Sequence, residues 1–281
     1  GPVTKTRPYP NFGMVSWRGN KDSSSYEGLS VAVKRSFSRG LLFSANYMLS
    51  HEIYDGSNGS GDGDSVVPEN VACPVCERAS GIWDARHVRN ASAVYELPFG
   101  PGKSLLNERG VVGDLVGSWE INSVVVARTG FPVNVLVNRF ASSVPDGNTT
   151  DQRPNLVPDV SPVPPGGKRI GEWVNVVAFA IPADGTFGNA PRNLLRGPGA
   201  WQMDLGVVKR VPLKDNVHLE FRSEFFNIFN HPQYGLPLAT LGVQGFRQDP
   251  TDCEHHRADK PYWFRNTARD SVRGAPAVLV Q

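Results

Sequence analysis

The sequence lacks the features that mark several large classes of protein. The net charge of the 281 residues is only +2, so no strong electrostatic field points to nucleic acid or to an acidic partner. No run of about 18 apolar residues occurs, which excludes a transmembrane helix but leaves transmembrane strands of about 9–11 residues open. The opening GPVTKTRPYPNFG shows no secretory signal and does not begin with Met, so we expect a fragment or a processed piece of a longer protein.

The sequence also lacks the usual constellations of an enzyme. No Ser–His–Asp set, no Gly-rich phosphate loop and no pair of carboxylates stands in a convincing context, so we expect no catalytic residue and no cofactor. The stretch DGSNGSGDGD at 55–64 invites a calcium interpretation. However, the twelfth position counted from Asp55 is Val66, where an EF-hand needs Glu. We therefore predict a flexible, solvated loop.

Cysteine is scarce, and two of the three cysteines form the motif Cys73-Pro-Val-Cys76. A zinc site of the usual kind needs a second pair of ligands. The other residues that could supply them are His51, His87 and a tail cluster of Cys253, His255 and His256. We predict no metal site, and we expect Cys73 and Cys76 either to form a local disulfide or to stay as free thiols. A disulfide would fit an exported protein.

The clearest pattern that the sequence does contain is the alternation of NVHLEFRSEFFNIFN at 216–230. One side carries Val217, Leu219, Phe221 and Phe225, and the other carries His218, Glu220, Arg222 and Glu224. A period of two places successive side chains on opposite faces of a sheet. The 29 glycines and 23 prolines, 52 residues together, exceed the usual share of about 12% and favour turns and long loops over helices.

Similar alternation predicts further strands and loops of two kinds. The predicted strands cover residues 14–17, 25–37, 41–52, 89–97, 117–128, 202–211 and 216–228. The fifth of these is expected to break at Thr129-Gly130 and to continue to about Val137. The loops alternate in length: short at 38–40, long at 53–87, medium at 98–115, long at 138–200 and short at 212–215. Alternate loops of an up-and-down meander share a rim, so the long loops lie together.

These observations predict the fold class. We expect an all-β protein, an antiparallel up-and-down meander that forms a partial transmembrane β-barrel. Short turns would lie on one rim and long loops on the other, as in outer-membrane barrels. Unstructured loops as long as 53–87 and 138–200 are also evidence against a compact soluble domain.

Six phrases in order carry a family resemblance. They are ANYMLSHEIYDG (45–56), DARHVRNASAVYELPFG (84–100), GSWEINSVVVARTGFPVNV (117–135), DQRPNLV (151–157), FGNAPRNLLRGPGAWQMDLGVVKRV (187–211) and LEFRSEFFNIFNHPQYG (219–235). Together they resemble the C-terminal barrel region of TonB-dependent outer-membrane receptors, above all the Oar-like group, whose full chains also carry a carboxypeptidase-regulatory-like domain and a plug. The resemblance covers about residues 9–240. It implies the outer membrane of a Gram-negative-type bacterium and energised uptake of a scarce ligand such as a siderophore or an oligosaccharide.

The resemblance also implies partners and domain limits. The partners are outer-membrane lipid, an unknown small-molecule or oligosaccharide ligand, and a TonB-type inner-membrane energiser that acts through a plug region missing here; no nucleic acid is expected. Residues 1–245 would be the C-terminal portion of the barrel. Residues 246–281 show no periodic order, and we interpret them as a frameshifted closing strand, because reading one base later permits an alternating segment that ends in Phe.

Two other functions fit the same alternation. The first is a passive outer-membrane channel or anchor without TonB coupling. The second is a soluble β-sandwich that binds carbohydrate through its long loops. A band of apolar residues on the outer face, with stability only in detergent or lipid, would favour the receptor.

Several side chains have both a functional and a structural interpretation. His51, Glu52 and Asp55 resemble a site but equally fit a polar rim. Glu220, Arg222 and Glu224 could bind a substrate, although cross-strand charge pairing is the simpler account. The aromatic residues that could stack on a sugar or form an interfacial girdle are Trp17, Trp119, Trp173, Trp201, Tyr47 and Tyr95. We expect ligand binding in the long loops at 53–87 and 138–200.

Overall fold

The fold is that of an all-β protein. The computed structural model describes residues 22–55, 68–107, 110–149, 151–214, 217–241 and 277–280. Over these residues the strands are antiparallel with one short parallel exception, which confirms the predicted fold class. None of the described helices is long and apolar enough to cross a membrane.

The secondary structure consists of long strands joined by segments that contain very short ones. The strands, in chain order, are β1 (Ser24–Ser38), β2 (Leu41–Tyr54), β3 (Ala79–Ser80), β4 (His87–Glu96), β5 (Trp119–Arg128), β6 (Pro132–Val133), β7 (Leu136–Val137), β8 (Asn155–Leu156), β9 (Phe179–Ala180), β10 (Leu195–Arg196), β11 (Ala200–Lys214), β12 (Val217–Phe225), β13 (Thr240–Leu241) and β14 (Ala277–Val280). Helix α1 spans Val111–Val116, and 3-10 turns span Pro74–Glu77 and Val176–Ala178.

The long strands form one meandering sheet with the order β1-β2-β4-β5-β11-β12-β14, and β3 is added beside β2. Each long strand lies next to the preceding long strand of the chain, as an up-and-down meander requires. Six of the seven predicted strands are present, and the seventh, at 14–17, lies outside the described residues. Among the described residues β1 and β14 each pair on one side only, so the sheet stays open.

The connections between the long strands lie on two opposite edges of the sheet. The β1–β2 and β11–β12 turns and the segment 97–118 lie on one edge, which we call the turn rim. The segments after β2, β5 and β12 lie on the opposite edge, which we call the loop rim. The predicted asymmetry of the rims is therefore present in the structure.

The first hairpin turn shows how the short connections work. Ser38 pairs with Leu41, which leaves a two-residue loop of Arg39 and Gly40 with φ of 51° and 78°. Positive φ at both positions is typical of a type I′ turn, whose twist matches that of the flanking strands. The second short turn differs from the prediction of 212–215, because β11 continues to Lys214, which pairs with Val217.

The two faces of the sheet differ in chemistry. One face, called the apolar face, carries Leu29, Val31 and Val33 of β1, Leu41, Phe43, Ala45, Tyr47 and Leu49 of β2, Ile121 and Val125 of β5, and Met203, Leu205 and Val207 of β11. The polar face carries Ser44, Asn46, Ser50 and Glu52 of β2, Asn90 and Ser92 of β4, Asp204 and Arg210 of β11, and Glu220, Arg222 and Glu224 of β12.

Among the described residues, little protein covers the apolar face. Leu29, Val33 and Phe37 are each more than half exposed. Among the buried hydrophobic side chains of the described residues, only Tyr54 and Val208 belong to the long strands. A soluble sheet hides its apolar face against a second layer, so this sheet has the surface that a membrane barrel presents to lipid.

The hydrophobic core lies instead in the long loops. We call residues 68–86, 129–149, 151–199 and 226–241 the cap. Its core contains Val133, Val135, Val137, Val174, Ala178, Phe179, Leu195, Ala239 and Leu241. Short strand pairs hold it together: β6 with β10, β7 with β13, and β8 with β9. The prediction that 138–200 is an unstructured loop is therefore wrong.

The segment after β5 also departs from the sequence prediction. We expected β5 to continue through 132–137 in the same sheet. Instead, β6 and β7 leave the sheet and pair within the cap, Val133 with Leu195 and Leu136 with Thr240. Gly130 allows this departure, because a Cβ there would lie 1.8 Å from the Gly197 carbonyl oxygen. The backbones meet at a distance that only glycine permits.

The tail contains a strand that the sequence analysis did not anticipate. Residues 277–280 form β14, which pairs with β12 so that Leu219 is opposite Val280. The rest of 242–281 lies outside the described residues, and so does most of the acidic stretch at 55–64. The frameshift interpretation of the tail therefore stays a prediction.

We predict that arginine is tolerated on one face of β5 and not on the other. Val125 lies on the apolar face between Ala91 and Met203, whereas its neighbour Val124 lies between Ser92 and Asp204. Val125→Arg should destabilise the protein in a lipid bilayer by about 2–4 kcal/mol if the site is near the bilayer midplane, and less near the interface. Val124→Arg, the matched control, should have little effect. Urea titration of tryptophan fluorescence in lipid vesicles measures both, and equal losses would contradict the assignment of the faces.

Candidate functional site

A pocket of about 430 Å³ lies where the polar face meets the cap. The sheet contributes Tyr26 of β1, Asn46, Met48, Ser50 and Glu52 of β2, and Val88 and Asn90 of β4. Trp83, Asp84 and Ala85 of the cap form the remaining wall. We call this cavity the rim pocket, because it lies beside the loop rim.

Two aromatic rings line the rim pocket and stay exposed. Tyr26 is 63% exposed and Trp83 is 60% exposed. The Tyr26 ring packs over Gly28, where a Cβ would lie only 3.2 Å from the ring. Trp83 packs edge-on against Phe131, with ring centroids 5.5 Å apart. One ring is therefore supported by the sheet and the other by the cap.

Asp84 connects the cap to the end of β2. Its side chain is fully buried, and its Oδ2 lies 2.5 Å from Arg196 Nη2, 3.1 Å from His51 Nδ1 and 3.3 Å from Arg86 Nε. Its Oδ1 accepts a hydrogen bond from the backbone N–H of Glu52 at 3.1 Å. Burial raises the pKa of Asp84, but the hydrogen bonds from Arg196, the Glu52 amide and His51 outweigh it and leave the pKa lowered.

A second buried ionic cluster lies inside the cap. Arg153 Nη1 donates to Glu77 at 2.7 Å, and Arg153 Nε lies 2.9 Å from Glu69. Burial raises the pKa of Glu69, and the hydrogen bond from the Arg153 amide opposes that rise. Glu77 is held in place by a 3-10 turn that begins after Cys73, and Cys73 and Cys76 form a disulfide.

Charges on the polar face pair with one another near the turn rim. Arg210 lies 3.0 Å from Glu220 and 3.4 Å from Glu120, and Arg222 lies 3.2 Å from Glu220 and 3.7 Å from Glu224. The Arg210 pairs are cross-strand, the arrangement that the sequence analysis considered, whereas the Arg222 pairs run along β12 itself. The paired charges form a hydrated inner wall rather than a preformed substrate site.

Of the aromatic residues considered in the sequence analysis, four lie on the apolar face and one lies in the cap. Tyr95 and Trp119 lie on the apolar face near the turn rim, and Tyr47 and Trp201 lie on the same face towards the loop rim. From Trp119 to Ala127, the residue opposite Trp201, eight steps of about 3.3 Å span roughly 26 Å of strand. With the strand tilt of about 40° usual in membrane barrels, this length corresponds to roughly 20 Å along the membrane normal, close to the apolar band of about 25 Å between the two aromatic girdles. Trp173 lies in the cap, where its Nε1 donates to the Arg196 carbonyl at 2.8 Å.

The structure separates the residues that the sequence analysis grouped together. Glu52 lines the rim pocket, whereas His51 binds Asp84 and the Asp55 carboxylate accepts the Ser23 amide at 2.6 Å. Within the described ranges, no group of three or more His, Cys, Asp or Glu residues is placed to hold a metal ion. Trp17 and the tail cluster Cys253, His255 and His256 lie outside the described residues.

The sequence analysis missed Trp83, Asp84, Arg153 and Arg196. Their partners are distant in the chain: Asp84 and Arg196 are 112 positions apart, and Glu77 and Arg153 are 76 apart. No local pattern marks such pairs.

We predict that Arg153→Met loosens the cap and leaves the sheet intact. The substitution leaves Glu69 and Glu77 buried without their cation, which typically destabilises a folded unit by about 3–5 kcal/mol. Hydrogen exchange should become faster for cap amides at 68–80 and 151–157 and stay unchanged in β4 and β5. Arg169→Met, which replaces an exposed arginine of the same cap, is the control. Equal exchange in the two variants would show that the buried cluster does not support the cap.

We also predict that acid weakens the link between the cap and β2. The pKa of Asp84 in the folded protein is lower than its unfolded value of about 3.9, so its carboxylate stabilises the folded state above that pH. This contribution is lost as the pH falls through the folded pKa. Hydrogen exchange at 81–86, followed from pH 6 to pH 3 and corrected for intrinsic rates, should therefore rise in wild type. In Asp84→Asn it should be fast throughout, and a pH dependence equal to wild type would refute the link.

Comparison with known proteins gives a family and no individual relative. A family model described as an outer membrane beta barrel domain matches residues 1–249. A search of curated proteins found no match, and neither did a search of solved structures. The matched range includes every long strand from β1 to β12 and the whole cap. The protein therefore belongs to the outer membrane beta barrel domain family and resides in the outer membrane.

Proposed function

We propose that this barrel belongs to a TonB-dependent receptor that takes up a scarce ligand with energy from the inner membrane. The observation that carries the proposal is the folded cap. A passive pore needs only an open lumen, but here the cap segments after β5 and after β12 build a hydrophobic core, and the cap contributes to two buried ionic clusters above one rim. Such a rigid structure is suited to presenting a binding surface, because pre-ordered loops lose little conformational entropy on binding.

The position of the rim pocket supports the same proposal. The pocket opens on the polar face, which is the side that faces the lumen of a membrane barrel. A ligand bound there touches both the barrel wall and the cap. The transport path would then continue along the paired charges of Arg210, Glu220 and Arg222 towards the turn rim.

The proposal includes partners that act through other parts of the receptor. A plug would close the lumen, and a TonB-type inner-membrane protein would move the plug with energy from the proton-motive force. The six sequence phrases that resemble Oar-like receptors support this part of the proposal. The soluble sandwich alternative has no support, because the apolar face lacks a covering sheet among the described residues and the family is one of membrane barrels.

Uptake and conductance together test the proposal against a passive channel. Cells that carry the full-length receptor are offered labelled ferric chelates, cobalamin and neutral oligosaccharides. We expect at least one of them to be taken up, and a protonophore or deletion of the TonB-type energiser to abolish that uptake. Purified full-length protein should show no steady conductance in planar bilayers, because a plug closes its lumen.

The matched variants connect uptake to the rim pocket. Trp83→Ala should lower uptake at low ligand concentration, because it removes one wall of the pocket. Phe140→Ala, which removes an exposed cap residue that does not line the pocket, should leave uptake unchanged. A steady conductance, with uptake insensitive to the protonophore, would establish the passive channel instead.

A further inference from the structure

The aromatic walls of the rim pocket are the first indication of its ligand. Tyr26 and Trp83 line a cavity of mixed polar and apolar character and stay mostly exposed, although burial of such rings is strongly favourable. Each ring has a fixed position: the Tyr26 ring lies in the space that Gly28 leaves open, and the Trp83 ring packs against Phe131. Fixed, exposed rings provide a surface for a ligand that has a flat, weakly apolar face.

The floor of the pocket is the second indication. Asn46 and Asn90 are directly opposite each other on β2 and β4, and Ser50 lies on the same face of β2. An amide side chain both donates and accepts hydrogen bonds, and a serine hydroxyl does the same. Groups of this kind match alcohol hydroxyls, which also donate and accept. They provide no fixed positive charge for a carboxylate or a phosphate.

The charge of the lining is the third indication. The Asp84 carboxylate is surrounded by donors, namely Arg196, Arg86, His51 and the Glu52 amide. Glu52 is the other ionisable carboxylate of the lining, and no lysine or arginine side chain is among the described lining residues. A carboxylate in a partly enclosed site repels anionic ligands and accepts hydrogen bonds from hydroxyl groups.

From these three observations we infer that the rim pocket binds an uncharged, hydroxyl-rich ligand of the oligosaccharide class. The sugar ring would lie against Trp83 or Tyr26, and its hydroxyls would bond to Glu52, Asn46 and Asn90. The inference names the ligand of the proposed receptor and rests on that function. It predicts that an anionic ferric chelate does not bind in this pocket.

Gly81 positions the carboxylate that this inference requires. A Cβ on Gly81 would lie 2.1 Å from Glu52 Oε2, so the glutamate occupies the space that the glycine leaves open. Gly81→Ala therefore moves the Glu52 carboxylate without removing it. Gly235 offers a matched control, because it is exposed and a Cβ there would meet nothing within 4 Å.

The test measures binding to the full-length protein in outer-membrane vesicles. The ligands are neutral hexasaccharides of glucose, mannose and xylose, the corresponding polyuronic acids, and ferric citrate. We expect at least one neutral hexasaccharide to bind and neither anionic class to compete. Trp83→Ala should weaken that binding about thirty-fold, as aromatic anchors of binding sites do. Glu52→Gln should weaken it about ten-fold, through loss of charge-assisted hydrogen bonds.

Further variants separate a positional effect from a general loss of structure. Gly81→Ala should weaken binding about as much as Glu52→Gln, and Gly235→Ala should bind like wild type. Hydrogen exchange of the cap should be unchanged in Glu52→Gln, which shows that the protein is folded. The inference is overturned if no neutral hexasaccharide binds, if ferric citrate or a polyuronic acid binds instead, or if binding survives both Glu52→Gln and Trp83→Ala.

The outcomes also separate this inference from the proposed function. Binding of a neutral hexasaccharide through Glu52 and Trp83, without energised uptake, would leave the ligand assignment standing and remove the receptor function. Energised uptake of ferric citrate, unaffected by Trp83→Ala, would support the receptor and refute the ligand assignment.

Discussion

The structure depends on one constraint, which is that backbone N–H and C=O groups within a bilayer have no water to bind. A strand in lipid must therefore satisfy these groups through neighbouring strands. Strands β2, β4, β5 and β11 do so on both sides, each with a long partner adjacent in the meander. The same constraint explains why the apolar side chains point outward: lipid, rather than a second layer of protein, covers them.

Because lipid covers the sheet, the buried core of the protein lies elsewhere. Val133, Val135 and Val174 pack together in the cap, beyond the end of the strands. Buried Arg153 and Asp84 then connect segments that are distant in the chain, through partners whose charges would otherwise be left unpaired. Such pairs contribute little net stability compared with apolar packing, but an arrangement of the loops that separates a pair leaves a buried charge uncompensated, which favours a single arrangement. A single arrangement is what a binding surface on long loops needs.

The rim pocket joins these two parts of the molecule. The sheet supplies a polar floor at Asn46 and Asn90, because every second residue of a barrel strand points to the lumen. The cap supplies Trp83, held against Phe131. Neither part contains the site alone. Rearrangement of the cap would therefore change the pocket, while the hydrogen-bonded wall of the barrel stays fixed.

The sequence by itself determined the six long strands from β1 to β12, their order and the asymmetry of the rims. A strand repeats every two residues, so a segment such as 217–225 shows its two faces within its own length. Only the tertiary structure decided how the long loops fold. It showed that two predictions were wrong: the unstructured loop at 138–200 and the continuation of β5 through 132–137. The pairing of Asp84 with Arg196, across 112 positions, leaves no local pattern to read. The cap and the rim pocket form because folding brings together residues that are distant in the chain. The residues next to them in the sequence do not predict these contacts.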